Sequence, residues 1–352
     1  MHRISVPSSV FLPKPYNPTA AGIKNSLKRG VIMDSVLPDL PKLSPAQRRK
    51  KLKNYLSRYW TLYLLLVLPI AFFVIFRYIP MAYIQIAFKD YRLDRSIWQM
   101  DWTGDNGLMF FIRLFKDRDF YYALRNTLML NGLDLALGFP APIIMALLLN
   151  ELTFKRYKRI TQTISYMPHF LSWVIIASLS NQLFAPTEGL VNIWLGRFGV
   201  DPINFLNNPM NWVFTYCFLG IWQNLGWGSI IYLAAMTAIN PELYEAAVVD
   251  GAGRMRKIWH ITLPGIRPTI ITLLIMNLGR ILSSDFERPF ALRNVLVFSV
   301  SNPLSIFTYD KGLVGMQFSL SAAAGLFSSV VCLVFLFSSN AIAKKFGERG
   351  IW

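Results

Sequence analysis

Few side chains in this sequence are spaced for covalent chemistry. The three histidines, His2, His169 and His260, lie too far apart in sequence to suggest a shared metal, so a packed or hydrogen-bonded His169 is expected. Cys217 and Cys332 sit in separate apolar stretches, give no CxxC pair, and read as small buried hydrophobes. No G-x-x-x-x-G-K-[ST] phosphate loop occurs, and Gly251-Ala252-Gly253 runs into arginines where a dinucleotide motif needs its third glycine. The chain is thus expected to hold no catalytic residue, metal or cofactor, and any nucleotide would be handled by another chain.

The residues able to act on a solute are polar ones embedded in apolar sequence. Asp134, Arg280, Asp285 and Glu287 are of this kind, and a charge in hydrocarbon is costly enough that it is normally paired or lines a polar cavity. Three readings of Arg280 stand side by side. It pairs with one of these acids, it extends outward to a polar surface, or it faces a polar cavity where its guanidinium attracts a carboxylate. Trp222, Gln223, Asn224 and Trp227 combine ring faces with amides, a set that stacks on sugar rings and bonds hydroxyls; packing between helices accounts for it equally well.

Membrane helices must position these residues. Hydrophobic residues make up 54% of the 352 and charged residues 16%, against an apolar share of roughly 45–50% in soluble domains. The apolar residues are gathered into runs, and about 20 in succession cross a bilayer. Six stretches qualify: 60–76, 124–149, 164–184, 212–235, 266–282 and 322–342. They lack the alternation of a barrel, so the expected fold is an all-α membrane protein with six transmembrane helices. Residues 1–58 form a basic, proline-broken and largely disordered tail, 59–342 the transmembrane domain, and 343–352 a second tail. The basic run 47–53 reads either as the start of a short helix along the headgroups or as a solvated charged segment.

Lys and Arg concentrate in the N-terminal tail, after the second and fourth spans, and at the C-terminus, which places both termini in the cytoplasm. The net charge of +17 is thereby explained by the membrane, and a nucleic-acid partner is not indicated. Two long loops on the opposite side, 79–123 and 290–321, contain Trp98, Trp102 and several glycines and are expected to fold as caps.

The loop 236–265 has a readable internal design. Asn240 is a good N-cap, Pro241 suits the first helical position, and Glu242 and Glu245 favour the positive end of a helix, so a helix from 241 to about 249 is expected. Asp250-Gly251 stops it, and a second short helix is expected from Arg254 to Ile261, halted near Pro264. Small residues at Ala246, Ala247, Gly251, Ala252 and Gly253 leave room for a partner to approach, while Tyr244, Ala247, Val248 and Gly251 share one stripe. Such a knob docks in a groove on another protein, or folds back as a plain hairpin.

Glu245-Ala246-Ala247, three residues, Gly251, nine residues, Ile261, one residue, and Leu263-Pro264 together resemble the EAA signature of the membrane subunits of bacterial ABC importers. The resemblance implies that Glu245, Ala246, Ala247, Gly251, Ile261, Leu263 and Pro264 form coupling helices gripped by a separate ATPase that uses ATP and Mg. Further stretches, 125–127, 138–151, 163–174 with its Tyr166-Met167-Pro168-His169, and the closing 343–352, resemble the polysaccharide branch of the carbohydrate importers. That branch implies a heterodimer with a second permease, two copies of the ATPase, an extracytoplasmic solute-binding protein, and an oligosaccharide substrate, in some cases acidic as in alginate or pectin fragments. The rival readings are a secondary transporter, which would show repeats and intramembrane acids for ion coupling, and a membrane enzyme, which would cluster its acids or histidines at one face.

Overall fold

The computed structural model describes residues 44–283, 285–347 and 350–351. Helices dominate, and the only β pairing among the described residues is an isolated bridge between Lys89 and Trp102. The chain divides into two units, Met1–Phe76 and Arg77–Trp352. Most of the expected N-terminal tail, 1–43, lies outside the described residues. The stretch 45–58, read from sequence as more of that tail, is helical instead, because the helix Pro45–Phe73 starts at a proline suited to a first turn and meets no further proline until Pro69. Tyr59 leaves helical geometry at φ −113° and ψ 17°, dividing the basic part of this helix from its apolar part.

Among the described residues four helical segments are both long and apolar enough to cross a membrane: Lys53–Phe88, Arg118–Glu151, Arg254–Leu278 and Phe318–Lys345. They take in the first, second and sixth expected spans, and the fifth, expected over 266–282, as far as Leu278, where the helix gives way to a turn. The fourth is the helix Pro209–Thr237, whose 29 residues are ample in length while its Asn, Gln, Gly and aromatic residues make it less apolar. The third is broken. Lys155–Tyr166 ends in a 3-10 turn, Met167–Phe170, around Pro168, and a new helix, Trp173–Leu183, begins after Ser172, whose Oγ caps it by accepting from the Ile175 N–H. A proline cannot donate to the helix, so an apolar run of adequate length is divided into two shorter pieces.

Prolines also explain the wide turns inside the long helices. Val74–Tyr78, Asp134–Gly138 and Ile258–Thr262 are π-turns, and each ends two residues before a proline: Pro80, Pro140 and Pro264. Widening the helix ahead of the ring accommodates it without ending the helix. The expectation that Pro264 halts the segment from Arg254 is therefore corrected: the chain passes through the π-turn into the helix Leu263–Leu278.

The second unit packs around three apolar clusters. One joins Phe110, Leu114, Phe120, Phe307 and Leu320; a second gathers Leu130, Trp173, Trp212, Tyr216 and Leu292; a third sets Ala146, Tyr232, Met236 and Ile266 together. The two long loops are folded. Lys89, 5% exposed, donates from Nζ to the Ile97 carbonyl at 2.9 Å, and Lys311 bridges Asp117 and Asp119 at 3.2 and 2.9 Å. Much of the remaining surface is large and apolar, as on Leu65, Leu68, Ile164, Val174 and Phe214, which suits lipid and not water.

Candidate functional site

A cavity of about 450 Å³ opens between Arg118–Leu133 with its following π-turn, Pro140–Glu151, Pro209–Thr237, Leu263–Leu278 and the turn after it. Its polar wall carries Asn131, Asp134, Asn224, Asn277, Arg280 and Asp285. Of the sequence-selected residues, Asp134, Asn224, Trp227, Arg280 and Asp285 meet here, while Trp222 and Gln223 do not. Successive helical residues are about 100° apart, so four near-contiguous side chains cannot share one wall. Gly220, Asn224, Trp227 and Ile231 do share it. Gln223 turns inward and donates from Nε2 to the Leu171 carbonyl at 3.1 Å.

Trp227 is a prepared ring surface. His169 stacks on it with centroids 4.6 Å apart and planes 3° from parallel, and Phe170 meets it edge-on at 5.8 Å. The Trp227 ring is 47% exposed even so, leaving it able to lie against a flat solute. His169 is held by this stack, in the turn that breaks the third stretch, and no group of metal-binding side chains occurs among the described residues. The close crossing that sets Trp227 depends on Gly226, where a Cβ would collide with the Ser165 backbone.

The electrostatics of the wall were not foreseen. Asp134 does not pair with Arg280. It pairs with Arg288, beyond the end of the fifth expected span: Nη1 to Oδ2 is 2.6 Å and Nη2 to Oδ1 is 3.2 Å. Arg288 is buried on the helix Glu287–Leu292, donates to the Tyr216 carbonyl, lies 3.6 Å over the Tyr216 ring and 5.5 Å from that of Trp173. A Cβ at Gly220 would collide with this guanidinium. Arg280 remains exposed at the cavity, and no ion pair engages it among the described residues. Asp285 accepts the Glu287 backbone N–H at 3.2 Å, and Glu287 itself is exposed beside it. Asn131 and Asn277 were also missed. A signal for them exists: each stands three residues before a charge, Asp134 and Arg280, as Asn224 does before Trp227, a spacing that puts both on one helix face.

The second site is the loop after Pro209–Thr237. Asn240 Oδ1 accepts the Glu242 N–H at 3.1 Å and caps the helix Pro241–Val249. Gly251 then takes φ +72°, a left-handed value that suits glycine, with open space around it. The Ala252 N–H closes the turn on the Ala247 carbonyl at 2.8 Å, and Arg254–Lys257 begins the next helix. Tyr244 ties the two helices together through its hydroxyl, 3.0 Å from that of the buried Thr262. The start of Leu263–Leu278 packs near Ile239, so closely at Gly265 that a Cβ there would overlap it, while Pro264 is exposed. Ile261 lies within the π-turn, half-buried. Glu245 and Ala246 are exposed, Ala247 is half-buried, and Leu243, Val248 and Val249 are 53, 60 and 87% exposed. The result is a compact knob whose apolar tip is uncovered in the chain.

Comparison with known proteins identifies the family. The family described as "Binding-protein-dependent transport system inner membrane component" matches residues 138–348. The polygalacturonan/rhamnogalacturonan transport system permease protein YteP of Bacillus subtilis (strain 168) is 44% identical over 306 residues, covering 87% of this chain and 94% of that protein. Protein LplB of the same organism is 43% identical over 292 residues, 83% of this chain and 91% of its own. A chain in the crystal structure of a bacterial ABC transporter that imports the acidic polysaccharide alginate superposes with a TM-score of 0.76 at 40% identity, over 84% of this chain and 99% of that one. The same agreement, over 85% of this chain, holds for the alginate transporter in complex with its alginate pentasaccharide-bound periplasmic protein. With a pocketed helical bundle, a protruding knob and these similarities, the chain belongs to the inner membrane components of binding-protein-dependent transport systems, the permeases of ABC importers.

Proposed function

We propose that this chain is one half of a permease heterodimer that carries an acidic oligosaccharide across the cytoplasmic membrane, with both termini cytoplasmic. In this reading two copies of a separate ATPase serve the heterodimer, one of them gripping this chain's knob through Glu245, Ala246, Ala247 and Gly251, and an extracytoplasmic binding protein delivers the sugar. The single observation that carries it is the cavity wall: an exposed guanidinium at Arg280, amides at Asn131, Asn224 and Asn277, and the stacked ring of Trp227 within one cavity. Rings stack on sugar faces, amides bond hydroxyls, and a free guanidinium binds a carboxylate in two-pronged fashion.

The coupling follows from rigidity. The knob is tied to the 254–278 segment through the Tyr244–Thr262 bond and through the continuous passage from Arg254 into Leu263–Leu278. A displacement of the knob therefore tilts a helix that lines the cavity. Neither site needs nucleotide chemistry of its own.

Reconstitution tests the reading. Proteoliposomes holding this chain, its sister permease, the ATPase and a loaded binding protein should take up an oligogalacturonate only with ATP, and the binding protein should raise hydrolysis. Uptake by the chain alone under an ion gradient would decide for a secondary transporter.

A further inference from the structure

Two arginines reach the cavity, and only one of them offers its charge to a solute. Arg280 is exposed on the wall. The Arg288 side chain is 7% exposed, and its guanidinium is held from several sides by the Asp134 carboxylate, the Tyr216 carbonyl, the Tyr216 ring and the backbone at Gly220. Both members of the ion pair line the cavity, and the more exposed one is Asp134, whose side chain is 33% exposed.

The wall therefore presents two carboxylates, Asp134 and Asp285, with Arg280. Without a counter-charge for Asp134, an anion entering the cavity would face an excess of negative charge. In surroundings of low dielectric that repulsion acts strongly. Arg288 removes it from the protein side.

We propose that Arg288 is a specificity-determining residue acting through Asp134: it neutralises this carboxylate from behind, so that the wall carries no excess of negative charge and an anionic oligosaccharide is admitted. The proposal deepens the oligosaccharide reading and rests on it. Arg288 touches no solute; it sets the charge that the solute meets. A plain structural latch between Glu287–Leu292 and Pro209–Thr237 would matter equally for charged and uncharged cargo, and this difference makes the two roles separable.

The test uses the complete reconstituted importer and two probes of equal length, trigalacturonate and its carboxyl-reduced neutral counterpart, with binding protein saturating for each. Arg288→Met should lower the ratio of acidic to neutral uptake by about tenfold. Adding Asp134→Asn should return that ratio to within about twofold of the unsubstituted complex, since both charges are then gone. Asp134→Asn alone, which keeps the guanidinium, should raise the ratio above the unsubstituted value, and this variant decides the matter should Arg288→Met fail to assemble. Parallel loss of both uptakes in Arg288→Met with an unchanged ratio, no recovery in the double variant, or an unchanged or lowered ratio in Asp134→Asn would each overturn the proposal. Uptake of neither probe by the unsubstituted complex would overturn the oligosaccharide reading and the proposal with it.

Discussion

The knob and the cavity are built by opposite means. The knob is held by neighbours in sequence: Asn240 caps Glu242 two residues on, Ala252 closes on Ala247, and Tyr244 reaches Thr262 eighteen positions away. Its apolar tip is left to water in the isolated chain. The cavity depends on distant partners, with Asp134 and Arg288 separated by 154 positions and Asn131 bonded to the Ile281 carbonyl across 150. Local construction makes the knob one piece, which in the proposed coupling moves as a unit. Long-range construction means that any such movement repositions the cavity wall.

Breaking the knob should have the largest effect. Gly251→Pro fixes φ near about −65°, where the turn holds +72°, and also removes the N–H that Gly251 donates to the Val248 carbonyl. ATP-driven uptake should be abolished while the thermal unfolding of the permease pair changes little; retained uptake would show that the turn is not needed for coupling.

The cavity should respond to crowding of its ion pair. Gly220→Ala forces the Arg288 guanidinium to shift, and overpacking of this kind costs about 1–3 kcal/mol. The melting temperature of the purified complex should fall accordingly, with an unchanged value arguing that the guanidinium has room to relax.

Why one region was readable in advance and the other only in part follows from this contrast. The cap at Asn240, the proline at 241 and the glycine turn at 251 are short-range signals, and the helix Pro241–Val249 matches them. The membrane character of the fold was equally plain in long apolar runs. Arg288 was hidden because nothing near it in sequence shows that it is buried or that Asp134 lies opposite. Trp222 and Gln223 were chosen for their residue types, while helical phase alone separates them from Asn224 and Trp227. Pro168 and Pro264 look alike in sequence, yet one interrupts its helix and the other is absorbed by a π-turn.

Arg280→Ala sharpens the electrostatic half of the comparison. Acidic uptake should drop about tenfold relative to neutral, about 1.4 kcal/mol of lost selective binding. Equal loss for both probes would assign Arg280 a packing role. The smallest effect is expected at the knob's own cap, where Asn240→Ala costs about 1 kcal/mol of helix stability. It should weaken stimulated hydrolysis only modestly, and a loss as large as that of Gly251→Pro would mean that the helix is far less stable than its tie to Thr262 implies.

The most direct measurement places a cysteine at the exposed tip of the knob. In the assembled importer, with Cys217 and Cys332 replaced, Val249→Cys should cross-link to the ATPase subunit, and the yield should change between nucleotide-free and ATP-bound states. An importer that takes up sugar at the normal rate while this position never captures the ATPase would contradict the claim that force enters the bundle through the knob.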